Sequence, residues 1–198
     1  MTQILRVPAA VAPLALLAAV TAGPPPAVAK VLDLFQRLQN AESQRAQQKP
    51  VDHVRFSLTE ADVNEYAKYA LETNPRPGVQ SVTVKIFPQN YYSTWTVFDF
   101  DAVERWRPGT IPVLLKPILS GRRSIWVDYR VQARAGQATF TVEKARFEGV
   151  PLPAFFVQQM IEVVAARQPE HFDTSKPVPL PMGLRNVWTG DKVVMGEN

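Results

Sequence analysis

The stretch SIWVDYRVQARAGQATFTVEKARF, residues 124–147, decides the fold. Ile125, Val127, Tyr129 and Val131 recur with a period of two, so they line one face of a strand running from Ser124 to Ala133. Ala135-Gly136 then makes a short turn into a second strand, Gln137 to Phe147, and a two-residue turn between two such strands predicts an antiparallel hairpin. In the second strand Phe140 and Val142 share a parity that Ala145 and Phe147 break, which predicts a bulge near Lys144 and a bend that helps the sheet curl.

The pattern extends in both directions. Upstream, Val82, Val84 and Ile86 alternate with Ser81, Thr83 and Lys85, and Pro88-Gln89-Asn90 turns the chain into Tyr91 to Phe100. That strand carries Trp95 and Val97 on one face and Tyr92, Phe98 and Phe100 on the other, so it needs cover on both sides. Before it, Val54 to Leu58 reads as a short strand. Thr59 with Asp62 forms a capping-box-like start to a helix over about residues 60–72, which Asn74-Pro75-Arg76-Pro77-Gly78 ends. Downstream, Pro151-Leu152-Pro153 opens an apolar helix from Pro153 to Arg167, with a polar stripe confined to Gln158, Gln159 and Glu162; Pro169 ends it. After a proline-rich connection from Lys176 to Pro181, Leu184 to Thr189 and Lys192 to Met195 form a hairpin around Gly190-Asp191. The expected fold is therefore α+β: a curved antiparallel β-meander of about four to six strands packed on a long apolar helix, plus a short N-terminal helix.

The N-terminus reads as an address. Arg6, the apolar run Leu14 to Val20 and the small residues of Ala27-Val28-Ala29 make a signal peptide over residues 1–29, with the mature chain starting at Lys30. Residues 30–50 then form an amphipathic arm (Val31, Leu32, Leu34, Phe35, Leu38, Ala41) that dissolves into a polar, Gln-rich linker, and residues 51–198 form a single domain. The arm is expected to pack on the domain or to act as a spacer. Localisation is periplasmic or secreted after cleavage, and membrane-tethered if the signal stays uncut.

Composition narrows the function classes. The chain has 22 Lys and Arg against 18 Asp and Glu, and residues 1–29 hold one of the basic residues, so the mature chain is nearly neutral. That balance, with no reader motif, argues against nucleic acid. There is no cysteine, which removes thiol chemistry, and with only His53 and His171 a zinc site is not expected. No cofactor, metal site or catalytic residue is expected. Asp99 and Asp101 lie two apart on the predicted strand, but two carboxylates fall short of a calcium shell. Glu170, His171 and Asp173 could orient a histidine base, yet no nucleophile motif accompanies them.

Two candidate surfaces remain. Arg105, Trp106, Arg107, Leu114, Leu115, Ile118, Arg122 and Arg123 form an apolar segment flanked by arginines, either a membrane-touching or lid segment or a short buried helix closing one end of the sheet. Trp95, Val97, Ile125, Val127, Tyr129, Phe140 and Val142 of the strands, with Phe156, Met160, Ile161 and Val164 of the apolar helix, line either a packed core or an apolar tunnel.

The order of helix, meander and apolar helix opened by Val150-Pro151-Leu152-Pro153, followed by Pro179-Leu180-Pro181-Met182-Gly183-Leu184 and Asp191-Lys192-Val193-Val194, resembles bacterial envelope proteins of the tubular lipid-binding (TULIP-like) group. Ser57-Leu58-Thr59-Glu60-Ala61-Asp62-Val63-Asn64 is similar to the S-x-T-E-x-x-[IVL]-N start of small exported members. The resemblance covers about residues 54–196 and implies a strongly curved sheet wrapped around a long helix that shields an acyl-chain cavity; the Arg105 to Arg123 insertion departs from that pattern. The expected partners are accordingly a lipid or other apolar small molecule and, peripherally, a membrane surface. The alternatives are an envelope assembly module that binds a protein partner through the N-terminal arm and exposed aromatic residues, and a hydrolase using His171.

Overall fold

A computed structural model of the chain describes residues 23–111, 113, 116–153 and 176–198. Among these, α1 spans Pro26–Ala46, α2 Glu60–Thr73 and α3 Phe100–Trp106. The strands are β1 (Arg55–Thr59), β2 (Val79–Phe87), β3 (Tyr91–Asp99), β4 (Arg122–Arg134), β5 (Gln137–Phe147), β6 (Val150–Pro151), β7 (Val178–Pro179), β8 (Asn186–Gly190) and β9 (Val193–Glu197). The protein is α+β, and among the described residues it has one open antiparallel sheet of nine strands, more than the four to six expected, partly because the prolines around β6 and β7 still permit two-residue pairings with β5. The long apolar helix expected from Pro153 to Arg167 lies outside the described residues.

β2 to β5 follow one another as antiparallel neighbours, and the sheet continues from β4 through β8 and β9 to β1. The thirteen-residue β4 is the pivot: residues 122–130 pair with β3, and Ala133, beyond the reach of β3, pairs with Val187 of β8. The expected bulge is present. Asp128 pairs with Lys144 but Tyr129 with Val142, leaving Glu143 as the extra residue. That single insertion returns Ala145 and Phe147 to the face of Phe140 and Val142. The Ala135-Gly136 turn has positive φ at both positions, 53° and 80°, as a two-residue hairpin with right-handed strand twist requires.

The sheet curls until its far ends meet. The Thr189 hydroxyl donates to the carbonyl of Phe87 at 2.6 Å, and the Lys192 N–H donates to the carbonyl of Ile86 at 3.1 Å, although neither β8 nor β9 is a sheet neighbour of β2. α2 seals β2, the edge strand. The Asn64 amide accepts from the Val84 N–H at 2.7 Å and donates to the Val84 carbonyl at 2.8 Å, standing in for a missing strand, while Glu60 accepts from the Ile86 N–H at 2.8 Å. The helix is launched as expected, with Thr59 and Asp62 closing a full capping box.

Of the two roles expected for the helix within residues 30–50, packing on the domain is the one found, and the helix runs further into the Gln-rich segment than expected. α1 is a 21-residue helix, long rather than short, and its Val28, Val31, Leu34, Phe35, Leu38 and Ala41 form the centre of the core with Val54, Leu58, Tyr66, Met182 and Leu184. Phe35 meets Tyr66 edge to face at 5.3 Å. The apolar stripe was read correctly, and packing on the domain is its role. The Gln-rich segment stays helical because Glu42 to Ala46 has good helix propensity and no breaker.

Candidate functional site

Cross-strand pairing sorts the candidate lining residues onto two faces. On the inner face, the side toward α1 and α2, Tyr92 lies opposite Tyr129, Thr94 opposite Val127 and Phe98 opposite Arg123; β5 then adds Val142 beside Tyr129, Phe140 beside Val131, Ala145 beside Val127 and Phe147 beside Ile125. Aromatic contacts run along this face. Tyr92 stacks on Tyr129 at 5.5 Å, Tyr129 meets Phe140 at 4.7 Å, and Phe100 touches both Phe98 and Phe147. Apart from the buried Ala145, these β3–β5 side chains are half-buried. The phenols behave as apolar groups: burial pushes Tyr92 and Tyr129 well above the usual tyrosine range, and the Thr94 hydroxyl lies 3.1 Å from the Tyr129 oxygen.

Ile125, Val127, Tyr129, Phe140 and Val142 thus come together, whereas Trp95 and Val97 do not join them. Trp95 pairs with Trp126 and Val97 with Ser124, which puts both on the outer face. The helix candidates Phe156, Met160, Ile161 and Val164 lie outside the described residues, as do Glu170, His171 and Asp173. Tyr92, Phe98 and Phe147 are inner-face residues that were not singled out as lining. Their signal was present, since Tyr92 and Phe98 oppose Trp95 in parity.

The outer face has its own organisation. Asp128, 5 % exposed, accepts from the Ser93 hydroxyl at 2.5 Å and the Trp126 indole N–H at 2.8 Å, and is approached by the Arg146 guanidinium at 3.3 Å. Arg146 and Lys85 both lie over the Trp126 ring, and Arg130 lies over Tyr91. Trp95, Trp188 and Phe87 remain exposed on this side. A buried Ser–Asp pair without a histidine is a clasp between β3 and β4; it holds strands rather than activating a nucleophile.

The described residues of the segment 105–123 lie at the end of the sheet where β4 begins. Trp106, Val113 and Ile118 are 65 %, 79 % and 56 % exposed, and Val150, the first residue of β6, is 64 % exposed at the same end. Of the expected membrane-contact residues, Arg105, Trp106, Arg107, Ile118 and Arg122 are exposed, and Leu114 and Leu115 lie outside the described residues. Arg123 differs. It alternates onto the inner face opposite Phe98, where its Nε is buried without a hydrogen-bond partner.

Carboxylates at this end are engaged by backbone. Asp99 accepts from the Ala102 N–H as the cap of α3, Asp101 accepts from Gly121, and Glu148 accepts from Ser124. Asp101 sits in α3, not on the strand, so the expected strand pair with Asp99 does not form. Glu104 accepts from the Gly109 and Ile111 N–H groups and pairs with Lys116 at 2.9 Å, which together hold its carboxyl down to about 2. The loop is therefore tied at its base, with Ile111 buried there, while Trp106, Val113 and Ile118 face outward. Among the described residues no cluster of three or more His, Asp or Glu side chains could hold a metal, and no helix is long and apolar enough to cross a membrane. The chain matches no protein-family model, no curated protein and no solved structure.

Proposed function

We propose that this protein is exported to the cell envelope and binds or shuttles a lipid or another apolar ligand without catalysis, as the TULIP-like resemblance implies. The observation that carries the reading is the inner face of β3, β4 and β5. It is a continuous run of half-buried aromatic and aliphatic side chains, ending at an arginine whose Nε has no partner. Such a surface suits a ligand with a long apolar body and a polar or anionic end. The expected helix from Pro153 to Arg167 supplies the opposite wall in this reading. The connection that contains it leaves from β6 beside Phe147 and returns through β7 beside Ala138, the two ends of β5. The exposed Trp106, Val113 and Ile118, flanked by Arg105, Arg107 and Arg122, serve as the contact with an anionic membrane from which the ligand is collected. Native mass spectrometry of protein isolated from its own membrane fraction tests this. The expected result is a population carrying one bound lipid mass; lipid-free protein alone, with a fully packed interior, overturns the reading.

The outer face favours a second reading, an envelope assembly module. Trp95, Trp188 and Phe87 are exposed beside Lys85, Arg130 and Arg146, a composition common at protein interfaces. Cross-linked pull-down with Trp95→Ser and Trp188→Ser separates the two readings: partner loss with unchanged lipid content supports assembly.

A further inference from the structure

The site at which the leader is removed can be argued from the core. The pattern Ala27-Val28-Ala29 marks a cleavage that would start the mature chain at Lys30. The folded domain uses the residues that this cut would discard. α1 begins at Pro26; Pro25 is extended, and the Ala29 N–H donates to the Pro25 carbonyl at 2.9 Å to close the first turn. Val28 is 0 % exposed and belongs to the same cluster as Val31, Leu34, Phe35 and Tyr66. A chain starting at Lys30 would lose that first turn and leave the Val28 site empty. It would also place a new ammonium group at the positive end of the helix dipole.

We propose that the leader is cut between Ala22 and Gly23, so that the mature protein retains Pro26–Ala29 as the first turn of α1. This proposal rests on the export reading above. The peptidase meets an unfolded chain, so burial does not shield Ala29; burial specifies which product has a complete core. Moving upstream from Pro26, the bonds after Gly23, Pro24 and Pro25 all precede a proline, which blocks such cleavage. The next small-residue pattern is Val20-Thr21-Ala22, directly behind the apolar centre Leu14 to Val20. The consequence for anchoring is direct. If the leader is retained in part of the population, only Gly23-Pro24-Pro25 separates it from a core helix, so the domain is held close against the membrane rather than on a long arm.

The test is to express the full 198-residue chain in a Gram-negative host, release the periplasm by osmotic shock and determine the N-terminus and intact mass. A Gly23 terminus is the expected result. A Lys30 terminus overturns the proposal while leaving export intact, and an unprocessed cytoplasmic chain overturns export and the proposal with it. Two substitutions sharpen the result. Ala22→Trp is expected to accumulate precursor, whereas Ala29→Arg, at an exposed position, leaves processing unchanged; the reverse pattern contradicts the proposal. Val28→Ala in the precursor is expected to lower the melting temperature of the mature protein by roughly 3–6 °C. No shift would show that the mature chain lacks residue 28.

Discussion

Single side chains close this sheet and tie down its loop. Asn64 satisfies both the N–H and the carbonyl of Val84, so Asn64→Ala leaves two edge groups unpaired beneath α2. Urea unfolding is expected to show a loss of about 1–3 kcal/mol, and Asn64→Asp recovers the N–H bond but not the carbonyl bond. Glu104 supplies a pH dependence. Its carboxyl is depressed to about 2 from an ordinary 4.5, so the support it gives to residues 109–111 is fully present above about pH 4.5 and is lost as the pH falls toward 2. Protection of the Gly109 and Ile111 amides, taken relative to their intrinsic exchange rates, is expected to fall across that window, and in Glu104→Gln the pH-dependent step disappears. The capping pair Thr59 and Asp62 was legible in the sequence because its chemistry is local. The Asn64 bridge was not, because its partner lies 20 residues away and only the fold makes them neighbours.

At the scale of elements, periodicity located the strands well. β2 through β5, the hairpin of β8 and β9, and the bulge opposite Asp128 all follow from parity and turn residues. Parity within a strand does not reveal which parity of the next strand shares its face, and that is why Trp95 and Val97 were grouped with Ile125 and Val127. Register decides it, and Trp95 pairs with Trp126. The N-terminal helix was expected to pack on the domain or to act as a spacer; its place at the centre of the core was not legible, because its partners Tyr66, Met182 and Leu184 are distant in sequence. The Ala135-Gly136 turn gives the test for this scale. Ala135 sits at φ 53°, a left-handed conformation that costs an alanine more than a glycine. Ala135→Gly is expected to raise the unfolding free energy by about 0.5–1 kcal/mol in a thermal or urea melt.

At the scale of the whole molecule, the described residues present two unlike sheet faces and an apolar-tipped end. α1 and α2 fill the curl beside β1, β2 and β9, while the inner face of β3 to β5 carries its own run of aromatic residues. If the end bearing Trp106 and Ile118 touches membrane, Trp106→Asp with Ile118→Asp abolishes co-sedimentation with anionic vesicles and leaves the melting temperature unchanged, since both side chains are exposed. In the proposed function an apolar ligand lies on the inner face and not on the outer one. Photo-cross-linking the full-length protein in its own membranes with a diazirine-bearing fatty acid, followed by peptide mapping, distinguishes the two faces. Adducts on Tyr92, Tyr129, Phe140 or Phe147 are the predicted result; adducts confined to Trp95, Trp126 and Trp188, or none above background, would contradict it.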